Sequence, residues 1–497
     1  MALYALFNKK MRSKTISLLC YPFDFLKRRG KAWLFLFKGP SIIQEGYDKT
    51  KGAPFEILAP DARYLFVSSA EHIKAIDAAP DSVLSLQAAA KQMLQPKYTM
   101  HNFNWFDQRG LEGTPLVRAL RTLLTNHVPD ILPDIRRAMV TKFDQMLQSC
   151  PEIDGGHLAP LYSMIISVVA YSNALAFFGE ELAQNQEFMK SAVDFIEKTL
   201  LVAEIMRLLP CFMAPKIGTF LANKFKAHLV INDNLVAVTE ERLRERDMKR
   251  FGHEIRTHKD CIQWVMECSP KQKPWSAQRI VHELMALWFG SVHVLSTTIC
   301  FAIHDLCLHP EYIEPLRAEC AEPGAMDLLD SFIKESMRTT PVESMSTRRQ
   351  ALQPFELPDG HKIQVGDWIC TPLRAMMRDS ANYPDPLKFD GFRFVDTERL
   401  NALKNMPSSL GSDPEMRMVG SGKGSRLTDV IDWQVWGTGR MACPGRYYAA
   451  AIMRTVVEIF ITEYDIQLSN PEASRWVSWR TFIYPRSSTE VVLRRRI

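Results

Sequence analysis

Between Ser276 and Leu308 the chain has no proline, and Pro310 closes the run. A helix over that stretch rises 1.5 Å per residue and reaches on the order of 50 Å. An element that long crosses a whole large domain, which points to a mainly α body built around it. Inside it, "LMALWFGSVHVLSTTICFAI" (Leu284–Ile303) carries no charge over about the 20 residues a membrane helix needs. "LYSMIISVVAYSNALAFFG" (Leu161–Gly179) is similar. Each holds Ser, Thr, Asn or His in its interior, and neither has the basic anchors and aromatic belts of a membrane span. Helices apolar on all sides are expected to lie buried in a core. Gly290, Ser291 and His293 interrupt the longer one midway. Glycine there costs about 1 kcal/mol relative to alanine, and a flat partner approaching the backbone is one reason to accept it.

The chain has 497 residues, 46% apolar and 24% charged, an ordinary globular composition. The net charge of +5 comes from scattered Lys and Arg, which argues against nucleic acid as a partner. Ten cysteines stand apart with no C-x-x-C pair, as expected in a reducing compartment. Residues 1–40 read as a basic, apolar leader. Lys9, Lys10, Arg12, Lys14, Pro22 and Lys27–Arg29 break any clean span, so an interfacial membrane contact is expected rather than a transmembrane anchor. Residues 41–497 are expected to form a single domain.

Along that domain, "PFEILAP" and "RYLFVSS" predict a hairpin around Pro60-Asp61-Ala62. "FELPDGHKIQVGDWICTPL" predicts strands around a turn at Asp359-Gly360. Glu335 and Arg338 share one helix face at i, i+3. "FDGFRF" anchors a loop with Phe389, Phe392 and Phe394 and presents Arg393. "GSGKGS" (Gly420–Ser425) lacks the spacing of a phosphate loop and reads as solvated loop.

"VWGTGRMACPGRYYAAA" (Val435–Ala451) carries the chemistry. Proline favours a first helical turn, so a helix is expected to start after Pro444, with Cys443 at its positive end. Amide N–H groups there are expected to lower the thiol pKa and favour thiolate. Gly437, Gly439 and Gly445 keep side chains away from the turn, and Trp436 offers an aromatic face. A structural cysteine, a cysteine nucleophile and an axial cysteinate to haem iron all fit these residues.

"WGTGRMACPG" resembles the F-x-x-G-x-x-x-C-x-G signature of the cytochrome P-450 family, with Trp436 in place of Phe. Glu335-Ser336-Met337-Arg338 matches its E-x-x-R, and "FDGFRF" resembles its third landmark. The three occur in family order, and "ACPGRYYAA" looks most like the fungal secondary-metabolism branch. The resemblance implies the P-450 fold, a large helical domain with a long central helix and a small β-sheet region. It implies haem b with Cys443 as the axial iron ligand. Trp436, Gly439, Arg440 and Gly445 would line the cofactor, and Arg349 (or Arg348) would meet a propionate. Arg118 and Arg121 are weaker candidates for that task. Glu335, Arg338 and Arg393 would form a structural triad under the haem.

Two departures from the family pattern stand out. Met441 occupies the position of a basic residue two before the cysteine, with Arg440 as its nearest substitute. His293 falls at the acid position of the central helix and Val294 at the threonine. His293 is then a candidate proton relay, with Ser291 or Ser296 as sources of the missing hydroxyl.

The implied activity is a monooxygenase that inserts oxygen from O2 into a bulky, terpenoid-like lipophile. Electrons would come from NADPH through a cytochrome reductase. The protein is expected to be a monomer at the cytosolic face of the endoplasmic reticulum membrane. Substrate contacts are expected from Met93–Gly110, Gly290–Leu295, Val342–Met345 and the tail around Phe482. Rival readings are a haem-thiolate isomerase or peroxide-driven oxidase, suggested by Val294, and a non-catalytic haem-binding protein.

Overall fold

The long run folds as one helix, Ala277–Leu308, in a computed structural model describing residues 30–103, 114–210, 212–322, 324–396, 426–430 and 433–496. Ser276 caps it, its hydroxyl accepting the Arg279 N–H at 3.3 Å, which satisfies a donor the first turn leaves open. His309 ends it ahead of Pro310. Leu161–Phe178 packs alongside it. Both helices are long and apolar enough to cross a membrane, yet 67% and 61% of their most apolar windows are buried inside the protein. They are core helices, as their interior polar residues suggest. Trp288 fixes a third helix, Gln186–Leu208, by donating from Nε1 to the Ala192 carbonyl at 2.9 Å.

Two further helices complete the frame of the site. Asp327–Thr339 carries Glu335 and Arg338, and Arg446–Glu463 follows the Cys443 turn. Both pack on the central helix. Asp330 ties them together, accepting from Arg454 Nη2 at 2.7 Å.

The predicted first hairpin forms. Phe55–Leu58 pairs antiparallel with Arg63–Phe66 at the edge of a five-stranded sheet continued by Trp368–Thr371, Ser346–Ala351 and Leu84–Ser85. The strand Ser346–Ala351 is irregular. Its register shifts between Ser346 and Arg349, and Thr347 has φ 48°, as at a β-bulge. The strands around Asp359-Gly360 also form, Phe355–Glu356 against Lys362–Ile363, with Gly360 at φ 86°. A C-terminal hairpin, Trp476–Trp479 with Phe482–Pro485, brings Phe482 against Glu343.

At the N-terminal end, a helix through residues 30–50 crosses position 40 without a break. Phe35 and Leu36 are fully buried. Phe35 joins the apolar cluster that covers the first sheet. The GSGKGS loop and residues 1–29 lie outside the described residues.

Candidate functional site

The Cys443 turn is held by its own backbone. The Cys443 N–H donates to the Trp436 carbonyl at 2.7 Å, and the helix begins at Arg446 with Gly445 as its cap. Gly437 and Gly439 have φ of 80° and 54°, a region that strains other residues. A Cβ on Gly439 would also meet Asp77 Cγ at 2.9 Å. Gly445 is different: a Cβ there would meet nothing within 4 Å. It leaves open space beside the half-buried Cys443. Trp436 is nearly buried and donates from Nε1 to the Leu427 carbonyl at 2.8 Å.

The thiol itself departs from expectation. Burial pushes the Cys443 thiol up, not down. The Gly445 N–H and the Arg446 and Arg121 guanidiniums act in the opposite sense, but loss of hydration outweighs them.

Asp77, which sequence reasoning missed, organises the far side of the turn. Its carboxylate accepts from Thr438 Oγ1 at 2.8 Å and from Arg349 Nη2 at 3.4 Å. Arg440 is drawn the same way. It donates to the Asp77 carbonyl at 3.0 Å, the Ala79 carbonyl at 2.6 Å and Asp81 at 2.7 Å. Its guanidinium is thus engaged with residues 77–81. Met441 is buried. Arg121 donates to the Arg440 and Ala442 carbonyls, both at 3.1 Å, while Arg118 turns away to the Cys268 carbonyl. Arg349 is buried, and burial pulls its guanidinium down to about 10. Arg348 points to the opposite side, onto Glu343, Met93 Sδ and the Phe482 ring.

The three landmark charges converge. Arg338 donates from Nε and Nη2 to Glu335 at 2.7 and 2.8 Å. Arg393 Nε donates to the same carboxylate at 3.1 and 3.2 Å, and the Asp390 N–H adds a bond at 3.0 Å. The remaining guanidinium nitrogens donate to carbonyls of Met377, Pro384, Pro386 and Lys388. All three side chains are essentially inaccessible. A charge cluster so deep persists only because every member is paired.

On the central helix, Gly290, His293, Val294 and Thr297 share one face by their i, i+3, i+4, i+7 spacing. A Cβ on Gly290 would meet nothing within 4 Å, and Val294 is 46% exposed in a helix otherwise largely buried. The face is therefore open at Gly290 and Val294 and closed at Thr297, which is fully buried. His293 lies at its edge with Nδ1 3.1 Å from the Tyr162 hydroxyl. Its Nε2 is buried without a partner among the described residues, and burial lowers its pKa to about 4. Ser291 and Ser296 bond back to the carbonyls of Trp288 and Val292, so both hydroxyls are directed into their own helix.

Of the expected substrate segments, residues 104–110 lie outside the described residues. The others converge. Ser344 and Ile483 N–H groups bond to the carbonyls of Thr481 and Val342 at 2.7 and 2.8 Å. Arg348 spans to Met93 at 3.3 Å, and the strand Phe482–Pro485 packs on the central helix. An open cleft of about 610 Å³ beside Lys142, Tyr171 and Lys190 includes none of these residues.

The site thus combines a long buried helix, a cysteine at a helix entry among glycines and a sealed charge triad. The sequence profile of the Cytochrome P450 family matches residues 113–475, and the chain belongs to that family. It is 27% identical over 483 residues to "Cytochrome P450 monooxygenase ptmQ" of Penicillium ochrochloron, covering 93% of this chain and 88% of that one. It is 24% identical to "Cytochrome P450 monooxygenase paxP" of Penicillium paxilli, covering 92% and 86%. Retinoic acid-bound cyanobacterial CYP120A1 has the same fold, with a TM-score of 0.66 at 16% identity over 93% of this chain and 97% of that one. The protein is a monooxygenase of this family, and the family implies haem held through a cysteine thiolate. The residues fit that group. Gly445 and Gly290 leave space where side chains would intrude, and Cys443 is a sulfur donor with an amide and two guanidiniums beside it.

Proposed function

We propose that Cys443 is the thiolate ligand of haem b and that the enzyme oxidises a bulky, terpenoid-like secondary metabolite of a fungus. Electrons come from NADPH through a cytochrome reductase. The carrying observation is the open space that Gly445 leaves beside Cys443 at the helix entry. The haem, once bound, supplies the oxygen-activating chemistry. Gly437 and Gly439 shape the ligand turn, and the Glu335 triad keeps the ligand region rigid. Met93, Val342 and Phe482 supply an apolar wall for the substrate. Arg349 sits on the propionate side with Asp77, and His293, neutral in the fold, lies at the edge of the open face against the Tyr162 hydroxyl. Exposed Trp33, Leu34, Phe37, Phe212 and Phe220 support contact with a membrane surface, in keeping with the endoplasmic reticulum.

The test is a carbon monoxide spectrum of the reduced protein. Wild type is expected to give the red-shifted Soret band of a thiolate haem and Cys443→Ser to lose it. A histidine-type band in wild type overturns the assignment. A second reading is favoured by Val294, whose methyls occupy the open face while Ser291 and Ser296 turn inward. It is a haem-thiolate isomerase or peroxide-driven oxidase, and turnover that persists without NADPH and reductase selects it.

A further inference from the structure

Glu343 is a largely buried acid, paired with Arg348 and close to Arg207 and Tyr484, at the edge of the apolar wall. Its backbone bridges to Phe482, and Met345, two residues on, is buried in the core. Its side chain is only 12% exposed. Burying a carboxylate costs several kcal/mol unless partners replace the lost water, and burial pushes this one up. The partners are few. Oε2 accepts from Arg348 and Oε1 from Thr481 Oγ1 at 3.0 Å. An ionised carboxylate has about four lone-pair sites, so each oxygen retains one. Three partly accessible side chains surround the pair: Met93 on the Arg348 guanidinium, Phe482 with its ring 5.9 Å from it, and Val342 next in sequence. These belong to the wall assigned above to the substrate.

We propose that Glu343 is a specificity-determining residue that accepts a hydrogen bond from a hydroxyl group of the lipophilic substrate. The substrate is thus an alcohol that already carries oxygen when it arrives, so a reaction that installs a hydroxyl, or hydrolyses an ester to release one, precedes this enzyme. Thr481 is a positioning residue that fixes the carboxylate. An apolar wall discriminates weakly against a missing or added hydroxyl, whereas a buried acceptor left unpaired discriminates strongly. A hydrogen bond to a charged group corresponds to about tenfold or more in affinity.

This inference rests on the substrate reading above, and one experiment separates them. The haem-loaded enzyme is titrated with geranylgeraniol and with its methyl ether, binding being read from the haem absorption. Wild type is expected to prefer the alcohol by about tenfold or more. Glu343→Ala is expected to bring the two within about threefold while still binding the ether and keeping the thiolate-type Soret band. Glu343→Gln preserves shape and the Thr481 contact, and is expected to show an intermediate ratio even if the alanine variant folds poorly. Binding of both probes with the same ratio in wild type and Glu343→Gln overturns the role of Glu343 and leaves the family reading intact. Failure of both probes to bind wild type overturns the lipophilic-substrate reading and this inference with it.

Discussion

Replacing Glu335 by alanine removes one carboxylate and strands two buried guanidiniums. Glu335 accepts two bonds from Arg338, a bifurcated one from Arg393 and one from the Asp390 N–H. Arg338 and Arg393 keep their carbonyl partners, but no counter-charge remains at hydrogen-bond distance among the described residues. Removing one partner of a buried pair costs about 3–5 kcal/mol, a large part of the ~5–15 kcal/mol that holds a domain. Glu335→Gln keeps the shape and one acceptor. Its cost is expected near the ~1.5–3 kcal/mol of hydrogen bonds to charged groups. The assay is thermal loss of the thiolate-type band in the carbon monoxide adduct. The alanine variant is expected to yield little or no such band, and the glutamine variant a lowered midpoint. If Glu335→Ala matches wild type in yield and midpoint, the triad is not what holds this region.

Two further outcomes follow from the same structure. Gly439→Ala places a side chain at φ 54° against Asp77. A non-glycine residue in that region costs about 1–2 kcal/mol, so a lowered thermal midpoint is expected, and an unchanged one would contradict the geometry. His282, His293 and His304 are each lowered to about 4, burial being the largest cause. They fold neutral and take up protons on unfolding below about 6.5. The unfolded state then binds more protons, so stability is full above that pH and falls towards pH 4. Denaturant titrations across that window are expected to show the loss, and His304→Phe to flatten its slope.

The parts of this molecule readable from sequence were those with local causes. The proline-free run from Ser276 and the uncharged interior of Leu161–Phe178 specify helices through spacing alone. The Cys443 turn was legible because glycines, a proline and a helix start crowd into one short stretch. The triad was recognisable from two of the three family landmarks, E-x-x-R and FDGFRF. What stayed hidden depends on residues remote in sequence. Asp77 is 361 positions from Thr438, and nothing around it marks it as the anchor of the cysteine turn. Tyr162 lies on another helix from His293. Arg440 is the nearest substitute for the cation that Met441 replaces, and its bonds to Asp77, Ala79 and Asp81, on the side where Arg349 also meets Asp77, come from residues about 360 positions away. At Cys443 the helix polarity is visible in sequence, while the burial that acts against it is not.

The irregular strand around Thr347 has a consequence for how this chain can change. Neighbouring residues of a strand face opposite sides. Here that separates Arg348, on Glu343 and Phe482, from Arg349, on Asp77. Two adjacent codons therefore serve two different rooms of the enzyme. Losing or gaining one residue near Thr347 would exchange the arginines, sending each charge to the other's side. Point substitutions can alter the two sides independently, but an insertion or deletion there alters both in one step. Length at this bulge is thus expected to vary less among descendants of this gene than the identities of the residues that flank it.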